Sequence, residues 1–275
     1  MLFEYLCVLN KNLGGEMNKP LILVTNDDGV NAKGIAALIE MVKPLGEVVV
    51  MAPFHGNSGM SHAITVKVPI RYKKIREEKD LTIYGCNGTP VDCVKLAMSE
   101  ILHRKPDVLV SGINHGSNAS ISIIYSGTMG AVIEGCVNGV QSIGFSLLDY
   151  SSDADFSPIL EHGKKIVSNV LENGLPKATC LNVNFPAIKS EEINGVKICR
   201  QAKGMWKEEF EKRLDPRSGE YFWLTGYFEN CENGSTDTDE WALANNFISI
   251  VPVEIDFTAY DHIDYFKKWN YEVKS

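Results

Sequence analysis

The sequence predicts an α/β protein with a doubly wound, mostly parallel sheet and a smaller C-terminal β-rich subdomain. Continuous apolar runs alternate with segments of helical period through the first two thirds of the 275 residues, a pattern typical of parallel strands joined by crossover helices. The chain is 44% hydrophobic, which is enough for a sizeable core. Beyond residue 200, charges, aromatic residues and turn residues mix without a clear period, which predicts a protruding arm or hairpin.

The first elements form a strand–helix–strand unit. Residues 20–25 and 47–52 are short apolar runs, the mark of strands buried on both faces. Between them, residues 34–42 repeat apolar side chains at helical spacing, so they are predicted to form a crossover helix. Residues 64–70 alternate apolar and polar positions and contain a proline, which predicts a half-buried edge strand. Residues 81–86 are expected to form the next strand.

The second helix has a clear start signal. Thr89 can cap a helix, Pro90 suits the first helical position and Asp92 falls in the first turn, so the helix is predicted to run to about residue 102. The elements that follow by the same criteria are, in order, a strand at 107–111, a loop at 112–126, helices at 127–138 and 156–171, strands at 180–184 and 196–200, an arm at 201–240 and a closing strand at 247–255.

The chain divides into three parts by composition. Met17 directly precedes the first strand, so residues 1–16 are expected to be an N-terminal extension outside the fold. Residues 17–200 carry the alternating pattern and form the predicted core. Residues 201–275 hold the arm and the closing segment.

Charge, cysteines and hydropathy exclude several classes of protein. The chain has 35 acidic and 27 basic residues, a net charge of −8, and no marked basic cluster, so binding of a nucleic-acid polymer is not expected. The 7 cysteines include no CxxC pair, which argues against a disulfide framework and a zinc site and favours reduced thiols. The sequence has neither an apolar run of roughly 20 residues nor a signal-peptide pattern, so we expect no membrane association and a cytoplasmic location.

The most informative motif is the adjacent pair Asp27 and Asp28, which follows the first buried strand and enters a glycine turn. Two ionised carboxylates side by side repel each other, so either one takes up a proton or a cation lies between them. Asp-Asp-Gly on its own is most often a simple turn. The neighbouring loops favour the cation, because ligands of open parallel sheets bind beyond the carboxyl ends of the strands.

Two further loops at this predicted rim supply oxygen donors. The loop after the second strand carries Asn57, Ser58 and Ser61, and the loop after residues 107–111 carries Asn114 and Asn118. Carboxylate, hydroxyl and amide oxygens suit Mg²⁺, Mn²⁺ or Ca²⁺ better than zinc. The sequence therefore predicts a divalent-cation site shared by three loops.

A helix start near this rim has two interpretations. In the stretch from Tyr125 to Thr128, hydroxyls and free backbone N–H groups converge on a helix N-terminus, where a phosphate can bind. Alternatively, Ser126 or Thr128 only caps the helix. The histidines close to these loops that could carry a proton near neutral pH are His55, His62 and His115.

Taken in order, these motifs resemble the signature of the SurE family of 5'/3'-nucleotidases over about residues 20–259. The matching stretches are Thr25-Asn26-Asp27-Asp28-Gly29, Asn57-Ser58-Gly59, Gly88-Thr89-Pro90, Ser111-Gly112-Ile113-Asn114, Tyr125-Ser126-Gly127-Thr128, Glu134-Gly135 and Asp215-Pro216-Arg217. An ordered series of this length is far more specific than any single motif.

The resemblance implies a site and an assembly. It implies a Rossmann-like core and an arm that swaps between subunits of a homodimer or homotetramer, with one Mg²⁺ or Mn²⁺ per subunit. The implied metal ligands are Asp27, Asp28, Ser58 and Asn114, and the implied phosphate-binding residues are Asn118, Ser126, Gly127 and Thr128.

The implied activity is metal-dependent hydrolysis of nucleoside 5'-monophosphates, with 3'-monophosphates as further substrates. Asp27 and Asp28 are the expected catalytic residues, and Asp27 is the better candidate to orient or deprotonate the attacking water. A broader phosphomonoesterase or exopolyphosphatase is an alternative. Phosphoaspartate phosphatases need a DxD motif, and a non-catalytic or redox nucleotide-binding module would favour GxGxxG in the first turn.

Overall fold

A computed structural model describes residues 19–151, 153–269 and 271. The predicted extension at residues 1–16 lies outside the described residues. The strands are β1 Leu21–Thr25, β2 Glu47–Pro53, β3 Tyr72–Glu78, β4 Leu81–Cys86, β5 Val108–His115, β6 Gln141–Leu147, β7 Thr179–Phe185, β8 Val196–Ile198, β9 Gly204–Lys207, β10 Phe210–Asp215, β11 Gly219–Leu224, β12 Tyr227–Asn230 and β13 Ile248–Glu254. The helices are α1 Lys33–Val42, α2 Pro90–Leu96, α3 Gly127–Val137, α4 Ser157–Asn173, α5 Asp239–Ala244 and α6 Ile263–Phe266.

A nine-stranded sheet with the order β3-β4-β2-β1-β5-β6-β7-β13-β8 forms the centre of the protein. Neighbours from β4 to β7 are parallel, whereas β3 and β13 are antiparallel to β4 and β7. The chain moves outward from β1 to β2 and returns to the other side of β1 at β5. This reversal opens a crevice at the carboxyl ends of β1 and β5. The predicted doubly wound, mostly parallel sheet is confirmed.

Helices cover both faces of the sheet, which explains why its central strands are apolar throughout. All five residues of β1 are buried. Ile22 and Val24 join one core cluster with α1 and α4, while Leu23 joins the other with α2 and α3. Because both sides of β1 are buried, its sequence is a continuous apolar run instead of an alternating one.

The predicted edge strand at residues 64–70 is wrong. These residues form no strand, and the side chain of Val66 is 77% exposed. Their backbone instead meets side chains: the Thr65 N–H donates to the carboxylate of Asp92, and the Asn87 amide donates to the carbonyl of Pro69. The edge strand is the next segment, β3, whose seven residues are all exposed. A strand that is exposed to solvent on both faces has no apolar period, so its sequence does not predict a strand.

The second helix starts as its sequence predicts. The Thr89 hydroxyl accepts the Asp92 N–H at 3.1 Å, and the Asp92 carboxylate accepts the Thr89 N–H at 2.9 Å, a reciprocal capping box. The helix α2 ends at Leu96 and continues as a π-helical turn over Ala97–Ile101, close to the predicted end. Strand β6 and helix α5 were not predicted.

Beyond residue 200 the chain leaves the sheet and forms two small antiparallel ladders, β9 with β12 and β10 with β11. The β10–β11 hairpin displays large apolar side chains to solvent, and its most exposed are Leu214 at 74% and Leu224 at 70%. A hairpin in this region agrees with the sequence prediction, whereas the boundary at residue 200 stays a prediction. In the described residues, no helix has both the length and the apolar character needed to cross a membrane.

Candidate metal and phosphate site

The polar loops predicted to meet at one rim do meet there. Strands β1 and β5 lie side by side, with Thr25 opposite Ser111, so the residues after both strands share the same end of the sheet. The loop after β2 is joined to them by a hydrogen bond of 2.7 Å from the Asn57 N–H to the Asp27 carbonyl. Three separate segments therefore present side chains to one crevice.

Asp27 is the buried anchor of this crevice, with 3% of its surface exposed. The Thr128 hydroxyl donates to the Asp27 Oδ1 at 2.5 Å, so the carboxylate lies at the N-terminal turn of α3. Burial raises the pKa of Asp27 to about 6, against the Thr128 hydrogen bond, which lowers it, and with the charge of Asp28, which raises it. Without a metal, keeping Asp27 ionised above pH 6 therefore lowers the stability of the folded protein.

Asp28 has an oxygen without a partner. Its Oδ2 is buried and has no hydrogen-bond partner among the described residues. Burial raises the pKa of Asp28, while the imidazole and backbone N–H of His115 lower it. A buried carboxylate oxygen is rarely left unpaired without a ligand to satisfy it. A cation bound between the two carboxylates would supply that partner.

Asn114 lines the cavity, and its amide nitrogen is already used in hydrogen bonds to the backbone. That nitrogen donates to the carbonyls of His115 at 3.2 Å and Gly116 at 2.9 Å. The pairing of β5 with β6 shifts register between Ser111 and Asn114, and a bulge of this kind re-aims a side chain at the end of a strand. Asn114 is therefore oriented as an oxygen donor. Ser58 lies on the wall of the same cavity.

The four residues expected to bind phosphate fall into two pairs. Ser126 and Asn118 line the cavity. Ser126 also accepts the Met129 N–H at 3.0 Å, so it caps α3 and the helix N-terminus faces the cavity. Gly127 and Thr128 contact Asp27, since a Cβ added at Gly127 would lie 2.8 Å from the Asp27 Cβ, and their binding of phosphate stays a prediction. These two residues fix the position of the carboxylate.

A buried network of hydrogen bonds to residues of β6 and β7 holds Asn118 in place. Its amide nitrogen donates to the Ser146 hydroxyl at 2.8 Å, and its backbone N–H donates to the Asn184 Oδ1 at 2.9 Å. The Asn182 amide donates to the carbonyl of Asn118 at 2.8 Å. A fully paired network of this kind rigidifies the loop that it supports.

The crevice is a cavity of about 380 Å³, and its walls include residues that the sequence did not indicate. The arm contributes one wall and Tyr150 part of another. The full lining is Asp27, Ser58, Gly59, Asn114, His115, Ser117, Asn118, Ser122, Tyr125, Ser126, Tyr150, Trp206, Glu209, Leu224 and Thr225. None of these described lining residues is a lysine or an arginine.

The donor set fits a hard divalent cation. Asp27, Asp28, Ser58 and Asn114 offer carboxylate, hydroxyl and amide oxygens, the donors that Mg²⁺ and Mn²⁺ prefer. Within residues 19–151, 153–269 and 271 there is no group of three or more His, Cys, Asp or Glu residues that could hold a metal. A zinc-type site is thus not found in the described part of the chain, and the candidate site depends on only two charged ligands.

The three candidate histidines lie in different places relative to the cavity. His115 lines the cavity. The His62 Nε2 lies 3.2 Å from the Glu134 carboxylate, which also accepts the Lys95 ammonium at 2.8 Å, and neither His62 nor exposed His55 is part of the cavity wall. Only His115 is placed to exchange a proton with a ligand in the cavity.

Comparison with known proteins identifies the family. A sequence model described as "Survival protein SurE" matches residues 22–208. The chain is 53% identical over 255 residues to "5'-nucleotidase SurE" of Phocaeicola vulgatus, covering 93% of this chain and 98% of that one. It is 54% identical over 255 residues to the protein of the same name from Flavobacterium psychrophilum, covering 92% and 99%.

The fold agrees with that match. The structure is similar to the crystal structure of the SurE protein from Aquifex aeolicus, with a TM-score of 0.79, 39% sequence identity, and coverage of 90% of this chain and 98% of that one. The family model covers more than half of the chain, and the identity to two relatives extends over nearly their full length. The chain therefore belongs to the SurE family.

Proposed function

We propose that this protein is a 5'-nucleotidase that hydrolyses nucleoside 5'-monophosphates to nucleoside and phosphate with the help of one bound Mg²⁺ or Mn²⁺. The observation that carries the proposal is the charge of the cavity. Asp27 lines it, Asp28 follows Asp27 directly in the chain, and no lysine or arginine lines it among the described residues. A phosphate dianion would be repelled there unless a cation is bound. The relatives named 5'-nucleotidase SurE support the same activity.

The residues that would hold the cation are Asp27, Asp28, Ser58 and Asn114. When bound, a divalent cation neutralises charge on a phosphate ester and lowers the pKa of a coordinated water. Asp27 is fixed for this task by Thr128, and its carboxylate is ionised at neutral pH because its pKa is about 6.

The other residues of the site orient the substrate. Ser126 and Asn118 border the place where a phosphate would lie, and the N-terminus of α3 adds the positive end of a helix dipole. Asp27 is the proposed proton acceptor for the attacking water, and His115 is placed to give a proton to the departing nucleoside oxygen. Gly127 and Thr128 act by holding Asp27.

We further propose that the protein forms a homodimer or homotetramer through its arm. The β10–β11 hairpin exposes Phe210, Leu214, Phe222, Trp223 and Leu224 on a ladder of only two strands. An exposed apolar patch of this kind is typical of an interaction surface. The free thiols of the described cysteines suit a reducing compartment, so the cytoplasm is the proposed location.

A panel assay tests the activity. Purified protein stripped with EDTA is given AMP, GMP, CMP, UMP, 3'-AMP, ribose 5-phosphate and polyphosphate, with Mg²⁺ or Mn²⁺ then restored. We expect 5'-monophosphates to be hydrolysed fastest, and only with metal. Asp28→Asn should reduce kcat/KM at least a hundredfold, whereas the exposed control Asp261→Asn should match the wild type. Turnover that persists in EDTA, or preferred cleavage of polyphosphate, would refute the proposal, and a trapped phosphoenzyme would indicate a phosphoaspartate phosphatase.

A further inference from the structure

The cavity that contains Asp27 has a second wall of different chemistry. Tyr150, Trp206 and Leu224 line it with aromatic and aliphatic surface, and the charged residue that the arm contributes to the lining is Glu209. A carboxylate repels a phosphate, so this wall is not a second phosphate site. Aromatic surface inside a polar cavity is suited to a flat, apolar part of the ligand.

Trp206 is held in place from behind. It stands opposite Phe228 in the β9–β12 ladder, and the two rings meet edge to face with centroids 6.3 Å apart. Gly204 leaves room for this packing, because a Cβ there would lie 2.3 Å from the Phe228 ring. The indole is thus a fixed surface, and it loses little conformational freedom when a ligand ring packs on it.

Tyr150 follows β6, and its ring packs against the loop after β5, next to the proposed metal ligand Asn114. A Cβ added at Gly116 would come within 2.2 Å of the Tyr150 ring, so the ring packs directly on the Gly116 backbone. The carbonyl of Gly116 accepts the Asn114 amide at 2.9 Å. Tyr150 as a whole is 74% exposed, so a ligand ring can still cover part of its surface. The Tyr150 ring and the oxygen donor Asn114 therefore contact the same residue, Gly116.

We propose that Tyr150 and Trp206 form a nucleobase subsite, where the base of a nucleoside monophosphate stacks while its phosphate lies at Asp27 and Asn118. The proposal rests on the nucleotidase activity proposed above and names the part of the substrate that the arm recognises. A nucleotide has an anionic end and an aromatic end, as the cavity has an oxygen-donor floor and an aromatic wall. Ribose 5-phosphate has only the first. Stacking tolerates every base, so purine and pyrimidine nucleotides should both use this subsite.

The test compares nucleotides with a substrate that lacks the base. Steady-state kinetics of wild type, Trp206→Ala and Tyr150→Ala are measured with AMP, UMP and ribose 5-phosphate at saturating Mg²⁺. Loss of one stacked ring corresponds to roughly a 5- to 150-fold loss of affinity. We expect the ratio of kcat/KM for AMP to that for ribose 5-phosphate to fall on the order of tenfold in each variant, mainly through KM. Trp206→Phe should restore most of the ratio.

Tyr227→Ala is the matched control, because Tyr227 is an aromatic residue of the same β9–β12 ladder that does not line the cavity. It should leave the ratio unchanged. An unchanged ratio in both cavity variants, or an equal fall in Tyr227→Ala, would overturn the subsite.

A binding readout separates this proposal from the nucleotidase activity. Saturation-transfer NMR with adenosine detects contact between the protein and the H2 and H8 protons of adenine without any turnover. We expect transfer in the wild type and in Tyr227→Ala, and a marked loss in Trp206→Ala and Tyr150→Ala. If no nucleotide is hydrolysed but this pattern is seen, the proposed activity fails and the subsite stands. If nucleotides are hydrolysed and transfer is equal in all variants, the subsite fails alone.

Discussion

Replacing Asp27 with asparagine should stabilise the metal-free protein while it removes metal-dependent activity. Asp27 is 3% exposed, and burial raises its pKa from the ordinary value of 3.8 to about 6. A carboxyl whose folded-state pKa is raised binds its proton more tightly in the folded state, so the stability present at low pH is lost as the pH rises through that value. A pKa raised from 3.8 to about 6 corresponds to a loss of about 3 kcal/mol of stability at pH 7.5.

Asparagine is neutral at every pH and can keep the hydrogen bond from the Thr128 hydroxyl. The Asp27→Asn protein should therefore unfold about 5 to 10 °C higher than wild type at pH 7.5 in EDTA. The gain should shrink below pH 6 and vanish near pH 4, where both proteins carry a neutral group.

Differential scanning calorimetry in EDTA from pH 4 to 8 measures the effect. Ser58→Ala, a change at an uncharged ligand, serves as control and should show no pH-dependent gain. Adding Mg²⁺ should raise the Tm of wild type and leave that of Asp27→Asn nearly unchanged. Equal or lower stability of the metal-free Asp27→Asn protein at pH 7.5 would refute the argument that this carboxylate is strained by burial.

Three further experiments test the contacts that hold Asp27 and the need for a bound metal. Thr128→Val removes the hydrogen bond that lowers the pKa of Asp27, so the acid limb of the kcat/KM profile should move to higher pH; an unmoved limb in a pH titration of activity would show that Asp27 does not set it. Gly127→Ala places a Cβ 2.8 Å from the Asp27 Cβ, so activity with Mg²⁺ should fall at least tenfold, while circular dichroism should report an intact fold. EDTA should abolish turnover and weaken AMP binding at least tenfold, since no lysine or arginine among the described residues lines the cavity; an unchanged affinity for AMP without metal, measured by calorimetry, would contradict this.

Much of the floor of the site follows from the order of elements. Buried parallel strands end on the same edge of the sheet, so Asp27, Ser58 and Asn114 could be placed together from sequence although they are far apart in the chain. The rule needs only the type and direction of the strands. Their direction followed from the apolar runs and the crossover helices.

Other features depend on contacts between residues far apart in the chain, which no local sequence pattern can predict. Thr128 had two interpretations as part of a helix start, and only the packing of α3 on the β1 loop shows that it contacts Asp27. Trp206 lines the cavity together with other residues of the arm, a tertiary contact that neither its neighbours in the sequence nor its period indicates. The error at residues 64–70 has a related cause, because alternation predicts a strand only where a neighbouring strand is free to pair with it.

Because no lysine or arginine lines the described part of the cavity, the concentration of free divalent cation controls how tightly any anion binds there. A site with a permanent arginine clamp would retain phosphate at any metal concentration. Here no lysine or arginine lines the described walls, so substrate and released phosphate both depend on the bound cation for their main attraction to the site. Saturation by substrate and inhibition by product should therefore rise and fall together with free divalent cation, and the addition of cation should precede that of nucleotide.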